Sequence, residues 1–319
     1  MADKPRSGVL FALGAFGFFA THDALVKALG AGYSPFQVMF FAMVFGFPLI
    51  AIMLISDPQA GTLRPVNLRW MLIRTVLGVT VGLTAFTAFA LLPLAQVYAI
   101  IFAQPLIITA LSVPVLGEKV GPYRWAAIFV GLCGVLIVIR PGSAPLGMGH
   151  LAAVIASIGG ALVAVILRKF GSSERSAVLI LYPMIGNFIL AGAVLGFVYR
   201  PMPLFDLGLS AALALCAFVA SLCMILAYRY APAAIVSPMQ YSQILWAAVY
   251  GAVFFAEYPD TWTIVGSAVI IASGLFIVAR ETGGGRSVIR PITTARLLRG
   301  DTVAALRLDS FLKRSPRRK

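Results

Sequence analysis

Residues 232–257 read PAAIVSPMQYSQILWAAVYGAVFFAE. The stretch is almost wholly apolar. As a helix rising about 1.5 Å per residue, it is long enough to cross the ~30 Å hydrocarbon layer of a bilayer. Its centre nevertheless carries Gln240, Tyr241, Ser242, Gln243 and Trp246. Polar side chains at that depth cost free energy unless they find partners or face water. The same unit stands earlier in the chain, at 93–118. One constant offset carries Pro93 onto Pro232, Gln104 onto Gln243 and Glu118 onto Glu257, and an offset one residue larger carries Gly134 onto Gly274 and Arg140 onto Arg280. The chain contains one unit twice.

Of its 319 residues, 61% are hydrophobic and only 11% charged. Soluble globules carry about 25% charged residues, so this composition predicts an integral membrane protein and excludes a soluble catalytic domain. The net charge of +14 does not point to nucleic acid. Eleven of the 25 lysines and arginines lie from Arg280 onward, and most others flank apolar runs, which is how membrane topology is written. Cys133, Cys216 and Cys223 all sit inside apolar runs and read as core-filling residues without a disulfide framework. Lys4 and Arg6 before an apolar run resemble a signal peptide. The run continues to about residue 28, however, and is read as the first membrane helix.

Ten helices are predicted, over about 8–28, 36–55, 70–91, 94–116, 124–140, 148–168, 177–199, 207–228, 233–256 and 262–280, with breaks at Pro, Gly or charge. One set of alternate loops holds eleven cations, among them Lys4, Arg6, Arg64, Arg69, Arg74 and Arg229, against Lys27, Arg140 and Arg200 in the other. Both termini are therefore expected on the cytoplasmic side. Five helices per copy is an odd number, so the second copy enters the membrane from the opposite side. The expected fold is an all-α integral membrane protein with ten transmembrane helices as two inverted five-helix repeats, at 8–140 and 148–280. Inverted repeats of this kind suit secondary transporters, with substrate near the midplane between the halves. Residues 281–319 form a basic cytoplasmic tail, either lying on anionic lipids as a partly helical segment or disordered and held there by charge.

Several residues are candidates for chemistry. Ser237, Gln240, Gln243, Ala247 and Gly251 recur at helical spacing and form one polar or small face. Gln104 holds the equivalent depth in the first copy, with Tyr98 above it. Pro105 and Pro238 each free a backbone carbonyl nearby. The glutamines either face one central cavity or bond between helices. Tyr241 and Trp246 either stack on a planar ligand or pack. In the first helix, His22 and Asp23 form either a proton-coupled site or a self-neutralised patch, and Lys27 lies one turn from Asp23, at pairing distance. Arg74 and Arg229 are expected to anchor helix ends at the cytoplasmic surface. Tyr182 and Asn187 are candidates for the cavity lining. Glu118 and Glu257 are expected at opposite membrane surfaces, as topology and gating elements. No metal-ligand cluster, phosphate loop or nucleophile triad is present in the sequence, so no metal, no catalytic residue, no cofactor and no driving ATP are expected.

These strings resemble the drug/metabolite transporter superfamily in its EamA-type branch. The resemblance rests on Leu92-Pro93-Leu94-Ala95, Gln104-Pro105, Leu116-Gly117-Glu118 and GLCGVLIVIRP at 131–141. In the second copy it rests on SPMQYSQILWA at 237–247, Glu257-Tyr258-Pro259-Asp260 and IIASGLFIVARE at 270–281. HDALVK at 22–27 and QYSQILW at 240–246 are similar to bacterial importers of riboflavin or S-adenosylmethionine. Relatives commonly carry an arginine where Phe40-Phe41-Ala42 stands here, a departure that implies a neutral or aromatic substrate. The resemblance implies a bacterial inner-membrane secondary transporter, not an enzyme, that takes up a small organic metabolite such as riboflavin by alternating access. Gln240, Tyr241, Gln243, Trp246, Gln104 and Tyr98 would contact substrate, and His22 and Asp23 would couple protons. The alternatives are an exporter of amino acids or drugs, an S-adenosylmethionine importer, a non-transporting scaffold and a membrane-embedded enzyme. Expected partners are the substrate and the bilayer, with no nucleic acid, in a monomer or homodimer.

Overall fold

Two prolines decide where the helices break. The computed structural model describes residues 5–55, 63–117, 120–141, 146–170, 174, 176–231 and 233–282. Its helices are α1 (Pro5–Gly30), α2 (Pro35–Ile55), α3 (Leu68–Leu91), α4 (Leu94–Ile101), α5 (Gln104–Leu116), α6 (Pro122–Ile139), α7 (Met148–Phe170), α8 (Ser176–Val198), α9 (Leu204–Tyr230), α10 (Ala233–Val236), α11 (Ser242–Phe255) and α12 (Thr261–Thr282). A 3-10 segment, Ser237–Tyr241, joins α10 to α11. The helices expected to run unbroken over 94–116 and 233–256 are each interrupted, at the equivalent place. Pro105 lies in the first turn of α5 and Pro238 in the first turn of the 3-10 segment, where a missing N–H is tolerated. Among the described residues nine spans are long and apolar enough to cross a membrane, α4 and α5 together making one of them. The interrupted α10–α11 stretch is the tenth crossing. Glu118 and the basic tail beyond residue 282 lie outside the described residues.

Contacts at the two ends fix the direction of each helix. At one end, Gly30 of α1 backs onto Ala90 near the end of α3. There Tyr33 donates to Asp206 Oδ2 at the start of α9, at 2.5 Å, and that bond raises the Tyr33 hydroxyl above its usual 10.0. At the other end, Phe11 of α1 stacks on Tyr230 at the close of α9, with centroids 5.8 Å apart. Trp70 at the start of α3 stacks there on Phe170 at the close of α7, at 4.4 Å. Helices α1 and α7 hold the same place in the two copies and run in opposite directions, so the copies are inverted. The main packing pairs are α1 with α9, α3 with α7, α2 with α8 and α6 with α12. Exchanging the copies returns the same set of pairs.

Helices in lipid gain little from apolar burial against one another, so close approach must come from small residues. At the α6–α12 crossing, a Cβ on Gly266 would sit 2.7 Å from Gly134 O, and one on Gly134 would sit 3.0 Å from Gly266 O. Ser273 Oγ adds a hydrogen bond to Ala127 O at 2.6 Å across the same seam.

The duplication also survives in the helix ends. Gly117 closes α5 at φ 69° and Ala256, its counterpart, closes α11 at φ 53°. The left-handed region costs a residue with a Cβ about 1–2 kcal/mol, and glycine escapes that cost. Ala256→Gly is expected to stabilise the folded protein by up to about 1 kcal/mol, read as a higher Tm in detergent. An unchanged or lower Tm would mean the cap carries no strain.

At the start of α12, Asp260 accepts from Thr263 N at 3.0 Å and pairs with Arg140. Burial pushes its carboxyl up, but the hydrogen bonds from Thr263 and the Arg140 charge outweigh it and hold the group below 3.8. A depressed carboxyl contributes stability above its unfolded pKa and loses it as pH falls through the folded value. Asp260→Asn should lower Tm at neutral pH by less than about 1 kcal/mol equivalent, since the pair is largely solvent-screened. The same substitution should flatten the acid limb of a Tm-against-pH curve below the ordinary carboxylate range.

Candidate functional site

Asp23 sits deep in α1 at 2% exposure. A buried carboxylate needs partners on its oxygens, and here it has them. His22 Nδ1 lies 2.8 Å from Oδ1, and the Tyr98 hydroxyl from α4 donates to Oδ2. Tyr98 is 1% exposed, so its polar end is spent on Asp23 and its ring on packing. From Tyr98 an aromatic run crosses to the second copy. Tyr98 meets Phe102 at 5.7 Å between centroids, and Phe102 meets Tyr241 edge-on at 5.4 Å. The Tyr241 hydroxyl rests on Gly274 of α12, where any Cβ would collide with it. His22, Asp23, Tyr98 and Tyr241 are thereby joined in one run that spans both copies.

Gln243 follows two residues on, in the first turn of α11. It is 3% exposed and its Nε2 has no hydrogen-bond partner. Its counterpart Gln104, at the start of α5, is half-buried over Gly160 of α7, where an added Cβ would come within 2.9 Å of Nε2. Gln240 is half-buried in the 3-10 segment. Trp246 stands apart. At 38% exposure it lies over Gly17 on the α1–α11 seam, beside the exposed Leu245 and Val249, so it belongs to the rim of the bundle.

Lys27 and Glu257 correct two expectations. The sequence puts Lys27 at pairing distance from Asp23 and Glu257 alone at a membrane surface. They form one ion pair between the copies, Nζ to Oε1 at 2.8 Å. Lys27 Nζ also donates to Leu92 O at 2.6 Å, the carbonyl at the end of α3, and Leu94 N reaches Glu257 Oε2 at 3.4 Å. The left-handed cap at Ala256 turns Glu257 back, with Glu257 N bonded to Gly251 O at 2.8 Å. Around this pair one continuous apolar core unites α1, α2, α3, α4, α6, α7, α8, α9, α11 and α12. At the opposite end packing is divided into separate clusters: α1 with α9, α2 with α8 and α9, and α3 with α8. Helix α1 packs on α3, while the equivalent pair, α7 and α9, makes no comparable contact among the described residues. The bundle is closed at the Lys27 end.

Arg74 is also not where the sequence put it. It is 4% exposed rather than at a surface, and its Nη1 donates to Leu179 O of α8 at 2.6 Å. Pro183 lacks the N–H that would bond that carbonyl, and its ring faces Gly78 of α3. Asn187 is buried against Gly82 of α3 with Oδ1 unpartnered, and Tyr182 packs on the cluster of Met71, Val178 and Leu179. The side chain of Arg229 lies outside the described residues. Sequence reasoning missed Phe102, which links the two tyrosines, and Tyr250, whose hydroxyl meets Thr21 Oγ1 at 2.9 Å. Phe102 carries no distinguishing signal in the sequence. Opposite charges at the ends of apolar runs in different copies could have suggested Lys27 with Glu257.

Removing one partner of a buried ion pair strands the other charge, which costs about 3–5 kcal/mol when both are fully buried. Glu257 is partly open, so Lys27→Met or Glu257→Gln alone should cost about 2 kcal/mol by the same reasoning. The double variant should recover much of the loss. Additive Tm losses in the double-mutant cycle would show that the pair is not coupled.

Two inverted five-span copies, joined by a paired polar run and closed at one end, define a multi-pass membrane transporter of the inverted-repeat class. The chain belongs to the EamA-like transporter family, which matches residues 6–140 and 147–279, once for each copy. It is 25% identical over 263 residues to an S-adenosylmethionine uptake transporter of Rickettsia bellii, covering 82% of this chain and 90% of that protein. It is 25% identical over 284 residues to the pseudopaline exporter CntI of Pseudomonas aeruginosa, covering 88% and 99%. Over 219 residues it is 28% identical to a riboflavin transporter of Rhizobium johnstonii, covering 66% and 71%.

Proposed function

We propose that this protein is a bacterial inner-membrane secondary transporter that takes up a small organic metabolite with a planar aromatic part, riboflavin first, by alternating access. The observation that carries this reading is Gln243. Its buried Nε2 lacks a partner beside the aromatic run where the two copies meet. An unmet buried polar group costs about 1–3 kcal/mol, and a substrate hydrogen bond would offset that cost. Helices α5 and α11 both begin near this level. Gln240, Tyr241 and Gln104 complete the contact set, with Tyr98 holding Asp23, while Trp246 stays at the rim of the bundle, outside that set. His22 and Asp23 are the proton-coupling pair, because a buried group that changes charge needs partners such as these. The relative named as a riboflavin transporter supports the choice of substrate. Both termini face the cytoplasm, which makes the Lys27 end periplasmic and the closed state inward-facing. The solute crosses unchanged, so no enzyme activity is involved.

Riboflavin uptake into proteoliposomes, read by fluorescence, tests the proposal. Gln243→Leu should raise the apparent KM about three- to tenfold, the loss of roughly 0.5–1.5 kcal/mol of hydrogen bonding. The same variant should be at least as stable as the parent, because a stranded amide is gone. Asp23→Asn should abolish the response to an imposed pH gradient. Unchanged KM in Gln243→Leu would overturn the site, and uptake of S-adenosylmethionine in place of riboflavin would reassign the substrate.

A further inference from the structure

The two ends of the bundle hold counterpart residues, and they are packed differently. At the Arg74 end, Gly8 of α1 backs onto Ala231 at the close of α9, where an added Cβ would collide with the Ala231 Cβ. At the Lys27 end, Gly149 of α7 backs onto Leu92 at the close of α3, where an added Cβ would come 2.7 Å from Leu92 Cγ. The two crossings hold the same place in the two copies. Counting on from Gly8 and Gly149, Leu167 is the counterpart of Val26, Arg168 of Lys27 and Phe170 of Leu29. Counting back from Leu92 and Ala231, Ile225 is the counterpart of Phe86 and Tyr228 of Phe89.

At the Lys27 end these positions make the seam between α1 and α3. His22 meets Phe86 edge-on at 6.0 Å, Gly30 backs onto Ala90, and Val26 and Leu29 share that face of α1. Val26, Leu29, Phe86 and Phe89 are all buried in one cluster, and Lys27 Nζ closes the seam on Leu92 O. At the Arg74 end Leu167, Phe170, Ile225 and Tyr228 are all half-buried. Phe170 stacks on Trp70, Leu167 packs on the cluster of α3 and α8, and Tyr228 packs on the cluster of α1 and α9.

We propose that α7 and α9 close on each other at the Arg74 end when the Lys27 end opens. Leu167 and Phe170 then meet Ile225 and Tyr228, and Arg168 takes Ala231 O as Lys27 now takes Leu92 O. Val, Leu and two Phe in one seam are matched in bulk by Leu, Phe, Ile and Tyr in the other. The seams therefore bury similar apolar area, and exchanging one for the other costs little. The inference rests on the alternating-access reading above and not on the choice of solute.

Cross-linking of the full chain in proteoliposomes tests this, with Cys133, Cys216 and Cys223 replaced by alanine. Leu167→Cys with Tyr228→Cys puts one thiol on each side of the proposed seam, and a short bismaleimide reports their approach. Adding Lys27→Met should raise the cross-linked fraction about three- to tenfold, because one hydrogen bond that holds the other end shut is lost. Gly30→Ala is the second opening variant, folding of each being read by Tm. Its Cβ would sit 2.5 Å from that of Ala90, so it wedges the same seam without touching the ion pair, and it should act in the same direction. Arg168→Met should reverse the rise. In a separate chain, Val26→Cys should gain reactivity to a water-soluble maleimide when Gly30→Ala is added. A rise in both readouts supports the proposal. Reactivity of Val26→Cys without cross-linking overturns the α7–α9 seam and leaves alternating access standing. No change in either readout overturns both.

Discussion

In hydrocarbon no water waits for a carbonyl that its helix has left unbonded, and this constraint organises the bundle. Several backbone carbonyls are met by a side chain from elsewhere. Lys27 takes Leu92 O, Arg74 takes Leu179 O, Lys169 takes Val115 O, Ser273 takes Ala127 O and Gln37 takes Arg200 O. All five bonds tie one helix to another helix or to the end of one. Satisfying the backbone and fixing the helix neighbours are therefore the same act. Polar side chains that would be liabilities in lipid become the pins of the architecture.

Inversion of the copies gives those pins a directional meaning. The pins at the Lys27 end draw α1, α3, α4 and α11 together, and the large apolar core has closed around them. At the Arg74 end the pins work within smaller groups of helices, and the core is divided. A carrier needs one end that holds while the other parts. The fourth and ninth crossings are interrupted at the same level. The aromatic run from Tyr98 to Tyr241 lies across that level.

Most of the architecture was legible in the sequence, because it is written in run lengths and in an offset. Ten apolar runs and one displaced copy give ten crossings and inversion without reference to any contact. The breaks beside Gln104 and Gln243 were signalled by Pro105 and Pro238, although the long runs still read as continuous helices. Partners were less legible. Asp23 and Lys27 look like a pair because they are one turn apart, yet Asp23 bonds Tyr98 and Lys27 bonds Glu257, which lies in the other copy. Local spacing cannot anticipate a neighbour brought by the fold from more than 200 residues away. Arg74 was misplaced for a related reason. Arginine near a helix start ordinarily reaches for water, and only the proline on α8 explains why this one turns inward.

That proline has a further implication for how the chain can change. Pro183 and Arg74 form one unit of inheritance: the carbonyl that the proline deprives is the one the arginine bonds. A lineage that loses the proline returns an N–H to Leu179 O and leaves the arginine without that bond to make. Descendants of this sequence that lose Pro183 should therefore tolerate an uncharged residue at position 74, while those that keep it should keep a donor there.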